Sequence, residues 1–141
     1  MTKPLLYIDT NVYIDHFDGR NDYLRPLGEF AFQLLQKAGQ CEFDIAISSF
    51  VIEELKHHVS EQRIFELVGG LQKLRKIFSM NHTPDDERVA SRLSHIRKTS
   101  FPDTLHVILA KKMNATYVVT RNIKDFEKLS DIVPIRLPES L

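Results

Sequence analysis

Three stretches, YIDTN (7–11), AISSFVIEE (46–54) and YVVTRNIKD (117–125), share one grammar: an apolar run, a polar turn, then a helix-forming segment. They carry Asp9, Glu53 or Glu54, and Asn122 or Asp125. A fourth acid, Asp103, opens DTLHVILAKKM, a segment apolar enough to form a largely buried helix, and a carboxylate there needs a partner. If the apolar runs are parallel strands, their carboxyl ends face the crevice where open α/β sheets bind ligands. Four carboxylates in one crevice repel each other, and a divalent cation is the natural counter-ion. Oxygen donors without a cysteine pair favour Mg²⁺ or Mn²⁺ over Zn²⁺. Such a cation activates water and stabilises charge on a phosphate, so the chemistry indicated is phosphodiester hydrolysis.

A helical wheel at 100° per residue separates the two glutamates. Val51, Ile52, Leu55 and Val59 define the apolar face, and Glu54 lies nearer its edge than Glu53, which leaves Glu53 as a solvated neighbour. Capping is the competing role for the other acids. Asp9, Thr10 or Asn11 could cap the helix that follows, and Ser100 with Asp103 and Asn122 with Asp125 have the spacing of a capping box. The histidines allow another chemistry. Glu54 with His57 and Asp103 with His106 repeat a carboxylate and a histidine at i and i+3, as in di-metal carboxylate helical proteins, although strand-like segments count against a four-helix bundle.

The positioning elements are legible in outline. PLLYIDTN (4–11) is a strand buried on both faces, NVYIDHF a short helix and GRND (19–22) a loop. Helical spacing covers 23–38, with Leu24 and Leu27 among its apolar positions, and Gly39 ends it. FDIAISS (43–49) is a second strand running into SFVIEELKHHV. A further helical pattern spans 61–78 and includes Ile77, with Gly69 and Gly70 as a kink or break. Thr83-Pro84 and Ser100 to Pro102 mark two helix starts. ATYVVT (115–120) is a β-branched strand, NIKDFEKL a short helix, and DIVPIRL an edge strand because Pro134 cannot donate to a ladder. Strands alternating with helices imply a parallel sheet covered on both faces.

Bulk properties narrow the partners. The 141 residues fit one domain, 1–141, and 19 basic against 19 acidic residues create no overall field for nucleic acid, so any such contact is a local patch. The single cysteine, Cys41, excludes an internal disulfide framework, fits a reducing cytoplasm and reads as a small, partly buried hydrophobe. No stretch approaches the roughly 18 apolar residues of a membrane span, and the expectation is a soluble, cytoplasmic chain without membrane contact.

YIDTNVYID, SSFVIEEL, PDTLHVILAKK and YVVTRNIKDF, in this order over nearly the whole chain, together resemble the PIN domain, the nuclease fold of VapC-type toxins of toxin–antitoxin pairs. The resemblance implies a three-layer α/β/α fold around a mostly parallel sheet of four to five strands. It also implies a Mg²⁺- or Mn²⁺-dependent endoribonuclease leaving 5′-phosphate and 3′-hydroxyl ends, with Asp9, Glu54 and Asp103 as the metal-binding acids. Many relatives carry an acid directly after the Thr-Arg pair, where this chain has Asn122, so Asp125 stands in as the fourth. Thr10, Asn11, Thr120 and Asn122 are the supporting residues, and Arg121 and Lys124 the RNA contacts. Lys111 and Lys112 read as surface charges compensating a helix dipole. A cognate antitoxin and a homodimer are the partners this implies. The alternative reading is a PIN-like RNA- or protein-binding module with weak or no catalysis, which the Asn122 departure would favour.

Overall fold

Leu6, Tyr7, Ile8, Ile45, Ala46 and Ile47 are shut from solvent on both sides of a central sheet, which is why these runs are apolar without alternation. Burying a side chain of this size contributes roughly 1.5–3 kcal/mol. The computed structural model describes residues 3–19 and 25–141. Its five strands are β1 (Leu5–Ile8), β2 (Asp44–Ser48), β3 (Ile77–Met80), β4 (Tyr117–Val119) and β5 (Ile135–Arg136), in the order β3-β2-β1-β4-β5. Every pairing is parallel, with Leu6 opposite both Ile45 and Tyr117.

From β1 the chain steps outward to β2 through α1 (Thr10–Asp18) and α2 (Leu27–Gly39), then to β3 through α3 (Ser49–Lys56) and α4 (Glu61–Lys73). It then reverses across the sheet to β4 through α5 (Pro84–Arg97) and α6 (Phe101–Lys112). Right-handed crossovers in both directions put α1–α4 on one face and α5 and α6 on the other. The packing agrees: α1 lies against α2 and α3, α3 against α4, and α5 against α6. This is the expected three-layer α/β/α fold. A parallel sheet with two helical layers also excludes the four-helix di-metal bundle.

The helix starts follow from side-chain caps. Ser48, Ser60, Thr83 and Ser100 each accept a backbone N–H three residues on, and Thr83 forms a reciprocal capping box with Asp86. Other expectations are corrected. Ile77 belongs to a strand: α4 runs unbroken through Gly69 and Gly70 to Lys73, and Arg75 turns left-handed at φ 57°. That turn redirects the chain so that Ile77 enters the core, 5% exposed, while Phe78 faces out. Its side chain could complete either a helix face or an edge strand, and pairing with β2 decides for the strand. The second helix likewise continues through Gly39, and the left-handed residue that stops it is Cys41, at φ 69°. Cys41 is exposed, because a turn position carries it away from the core. Leu24 and the 20–22 part of the GRND loop lie outside the described residues. Among the described residues no helix is long and apolar enough to cross a membrane.

Candidate active site

The strand order reverses between β1 and β4, and Asp9 sits at that reversal, directly after β1. Its N–H extends the ladder to Val119 O at 2.8 Å. Asp9 occupies the N-cap position of α1 yet its side chain makes no cap bond. The carboxylate turns inward instead: Oδ2 accepts from Thr120 Oγ1 at 3.0 Å, and Oδ1 stands 3.5 Å from His106 Nε2. Asp9 is therefore held in the crevice rather than on the helix end.

Glu54 reaches the same imidazole from the second turn of α3. Its Oε1 accepts from Thr10 Oγ1 at 2.6 Å and lies 2.7 Å from His106 Nε2. The wheel's preference for Glu54 agrees with this placement, since Glu53 is exposed. His106 is 1% exposed on α6, and its Nδ1 lies 2.8 Å from the Tyr7 hydroxyl, which in turn is 2.7 Å from Ser48 Oγ. Phe50 covers the ring at 4.8 Å between centroids. A continuous polar chain thus links the cap of α3 to Glu54 through the core, and every buried polar atom in it has a partner.

Electrostatics divide the acids. Burial pushes Asp9 above the usual carboxylate range, and His106 and Thr120 only partly offset it. Burial also raises Glu54, but the bonds from His106 and Thr10 outweigh it and hold that carboxyl low. Burial raises Asp103 as well; the Ser100 hydroxyl lowers it, and Asp9 and Asp125 push it up again, leaving it high. His106 is lowered by burial, but Glu54 and Asp9 reverse this and hold it above its ordinary value. Asp9 and Asp103 carry the least compensated negative charge.

Asp103 is half-buried in the first turn of α6, where its N–H is capped by Ser100, and it feels both Asp9 and Asp125. Asp125 is exposed and accepts from Asn122 Nδ2 at 3.0 Å, so the expected capping box is replaced by a side-chain pair at the start of the 3-10 helix Ile123–Leu129. Asn11 follows in α1, and its buried Oδ1 has no hydrogen-bond partner. Arg121 is committed elsewhere: Nη1 donates to Asp15 at 2.6 Å, and Asp15 is 1% exposed. Lys112 ion-pairs with Asp86 at 2.9 Å. Lys124 lines a cleft beside Asp103 and Asp125. In the sequence His106 stands out only by its i, i+3 spacing from Asp103, and Tyr7 and Ser48 do not stand out as site residues. The signal was a tyrosine in a strand buried on both faces, because its hydroxyl needs an internal partner.

Among the described residues no three acidic, histidine or cysteine side chains stand close enough to enclose an ion by themselves. Mg²⁺ does not need that, since it keeps several waters and takes one or two carboxylates. The donor set fits such an ion: two carboxylates raised by their surroundings, the unbonded Oε2 of Glu54 and an unfilled amide oxygen on α1.

A parallel α/β sheet with acids at its switch point defines a class of ligand-binding fold whose site lies beyond the strand ends. Residues 6–132 match the PIN domain, and the chain belongs to that family, whose members are generally nucleases. Similar solved structures cover nearly all of it. A toxin–antitoxin complex from Klebsiella pneumoniae is 23% identical with a TM-score of 0.62, covering 94% of this chain and 97% of that one. VapBC2 from Rickettsia felis, bound to a DNA fragment from its promoter, is 18% identical at 0.61, covering 94% and 98%. FitAcB from Neisseria gonorrhoeae is 16% identical at 0.59, covering 96% and 99%. Among curated proteins none matches the sequence closely enough to count as a relative.

Proposed function

We propose that this PIN domain is a Mg²⁺- or Mn²⁺-dependent endoribonuclease acting in the cytoplasm as the toxin of a toxin–antitoxin pair. The observation that carries the reading is the meeting of Asp9 and Glu54 at one nitrogen of His106, with Asp103 close enough to be raised by Asp9. Asp9 and Asp103 would hold the cation, Glu54 would meet it through Oε2, and Asp125 would act from the rim. When bound, the cation activates water and neutralises charge that develops on the phosphate. The chain's own groups do the positioning. Thr120 fixes Asp9, Thr10 and His106 fix Glu54, and Tyr7 with Ser48 fixes His106. Asn122 holds Asp125 in place, the buried amide oxygen of Asn11 has no protein partner and would accept from water, and Lys124 stands where an RNA phosphate would pass. Hydrolysis would leave 5′-phosphate and 3′-hydroxyl ends.

An antitoxin partner is supported by the structural neighbours, among them a toxin–antitoxin complex. Exposed apolar side chains, Phe65 at 77% and Leu74 at 56%, give a homodimer surface to work with. The second reading, a PIN-like module without catalysis, draws on Asn122 standing where an acid is expected and on the absence of a closed ion cage among the described residues. Calorimetric titration with Mg²⁺ and Mn²⁺ separates the two. Nuclease function requires uptake that Asp9→Asn removes, together with cleavage of RNA; no uptake by the parental protein rejects it in favour of the module.

A further inference from the structure

We infer that the cleft between the start of α6 and the 3-10 helix Ile123–Leu129 carries the backbone of single-stranded RNA on one side of the cut, with Lys98 and Lys128 as phosphate contacts; this deepens the nuclease reading and rests on it. The cleft has a volume of about 370 Å³, and its lining includes Lys98, Lys124, Lys128, Asp103, Asp125 and Ser100. Asp103, one of the proposed cation ligands, stands in this lining, so the cleft and the acid group share a residue.

The cations here differ from those around them. Arg97 is bound to Asp131, Lys112 to Asp86 and Arg121 to Asp15. No hydrogen bond or ion pair engages the ammonium of Lys98, Lys124 or Lys128 among the described residues, although three carboxylates share the cleft with them. In a chain with no net charge, three uncommitted lysines gathered at one opening are cations available to meet an anion there. Lys98 also holds a left-handed conformation, φ 57° and ψ 49°, at the end of α5, where glycine costs least. Charge completes the argument. The lining's three acids balance its three lysines, and a divalent cation held at Asp103 would tip the cleft toward positive charge.

The size favours one strand. A cleft in the range of a small-ligand pocket admits a nucleotide and not a duplex. No aromatic ring lines it, so it offers no stacking platform and no base readout. Contacts of this kind hold phosphate and add affinity without sequence preference.

The test is fluorescence anisotropy with two labelled single-stranded RNAs of unrelated sequence, in Ca²⁺ to fill the acid pocket, comparing the parental protein with Lys98→Gln/Lys128→Gln. Loss of two contacts should lower the slope of log K against log salt by about 1.4 and weaken Kd about 20-fold at 0.1 M salt. The factor should be the same for both RNAs. Lys73→Gln/Arg92→Gln, on exposed helix surface elsewhere, should bind like the parental protein, and the cleft variant should keep the parental melting temperature and Mg²⁺ uptake. Unchanged Kd and slope in the cleft variant, or no RNA binding by the parental protein, overturns the inference. Parental binding with the expected lysine dependence but no cleavage in Mg²⁺ or Mn²⁺ supports the cleft and rejects the nuclease reading.

Discussion

His106 Nε2 lies 2.7 Å from Glu54 Oε1, a contact that joins α6 to α3 across the carboxyl ends of β1 and β2. It sets one oxygen of Glu54 against the core and leaves the other for the crevice. The same ring is anchored behind by Tyr7, so the position of Glu54 depends on a hydroxyl inside the sheet. Tyr7→Phe should cost about 1–3 kcal/mol, because His106 Nδ1 is then buried without a partner. Urea unfolding measures that cost. The functional part of the claim is read separately, as weaker Mg²⁺ uptake by calorimetry; uptake at parental strength would show that Tyr7 supports only the fold.

Ionising Asp9 costs stability. Its folded pKa is raised above the unfolded value, so the penalty is absent below about pH 4 and complete once the pH exceeds the folded pKa. Asp9→Asn keeps an acceptor for Thr120 and removes the charge, and should melt at or above the parental temperature near pH 7 without metal. Saturating Mg²⁺, at about 100 times Kd, should stabilise the parental protein by about 2.7 kcal/mol and leave the variant unmoved. Thermal melts with and without Mg²⁺ decide it.

Asp103→Asn should end RNA cleavage while the circular dichroism spectrum and melting temperature stay near parental, since asparagine keeps an oxygen to accept from the Ser100 hydroxyl and the backbone N–H of residue 103 still bonds Ser100 Oγ. Gel analysis of end-labelled RNA is the measurement. Cutting at the parental rate would remove Asp103 from the reaction.

Arg121→Ala should destabilise the fold by about 3 kcal/mol, because it withdraws the guanidinium from a carboxylate that is 1% exposed. A lowered urea midpoint with RNA affinity reduced only in proportion to unfolding fits this role. Normal stability with selective loss of RNA binding would return Arg121 to the RNA surface.

Asp86 predicts part of the acid limb. Burial raises its carboxyl, but bonds from Lys112 and Thr83 outweigh that and lower it. A depressed folded pKa gives stability that is present above the unfolded value, about 4, and is lost as pH falls through the folded one. The stability gap between the parental protein and Asp86→Asn should therefore be widest above pH 5 and close toward pH 3, as followed by melts across that range.

The sequence by itself determined which segments must be buried strands and where each one hands its polar turn to a helix. Double-sided burial demands continuous apolar runs, and serine and threonine caps mark the starts, so β1, β2, β4 and the acids beside them were readable. The helix period also chose Glu54 over Glu53. Ile77 was misread because one apolar residue after a left-handed turn fits a helix or an edge strand, and only pairing with β2 separates them. The Asp15–Arg121 pair and the chain from Ser48 through Tyr7 and His106 to Glu54 were not readable at all. Their partners lie 41 to 106 residues apart, and local patterns carry no term for such distances. Tertiary structure decided which charges are spent inside the fold and which remain to meet a ligand, because that choice depends on three-dimensional neighbours within a few ångströms and not on spacing along the chain.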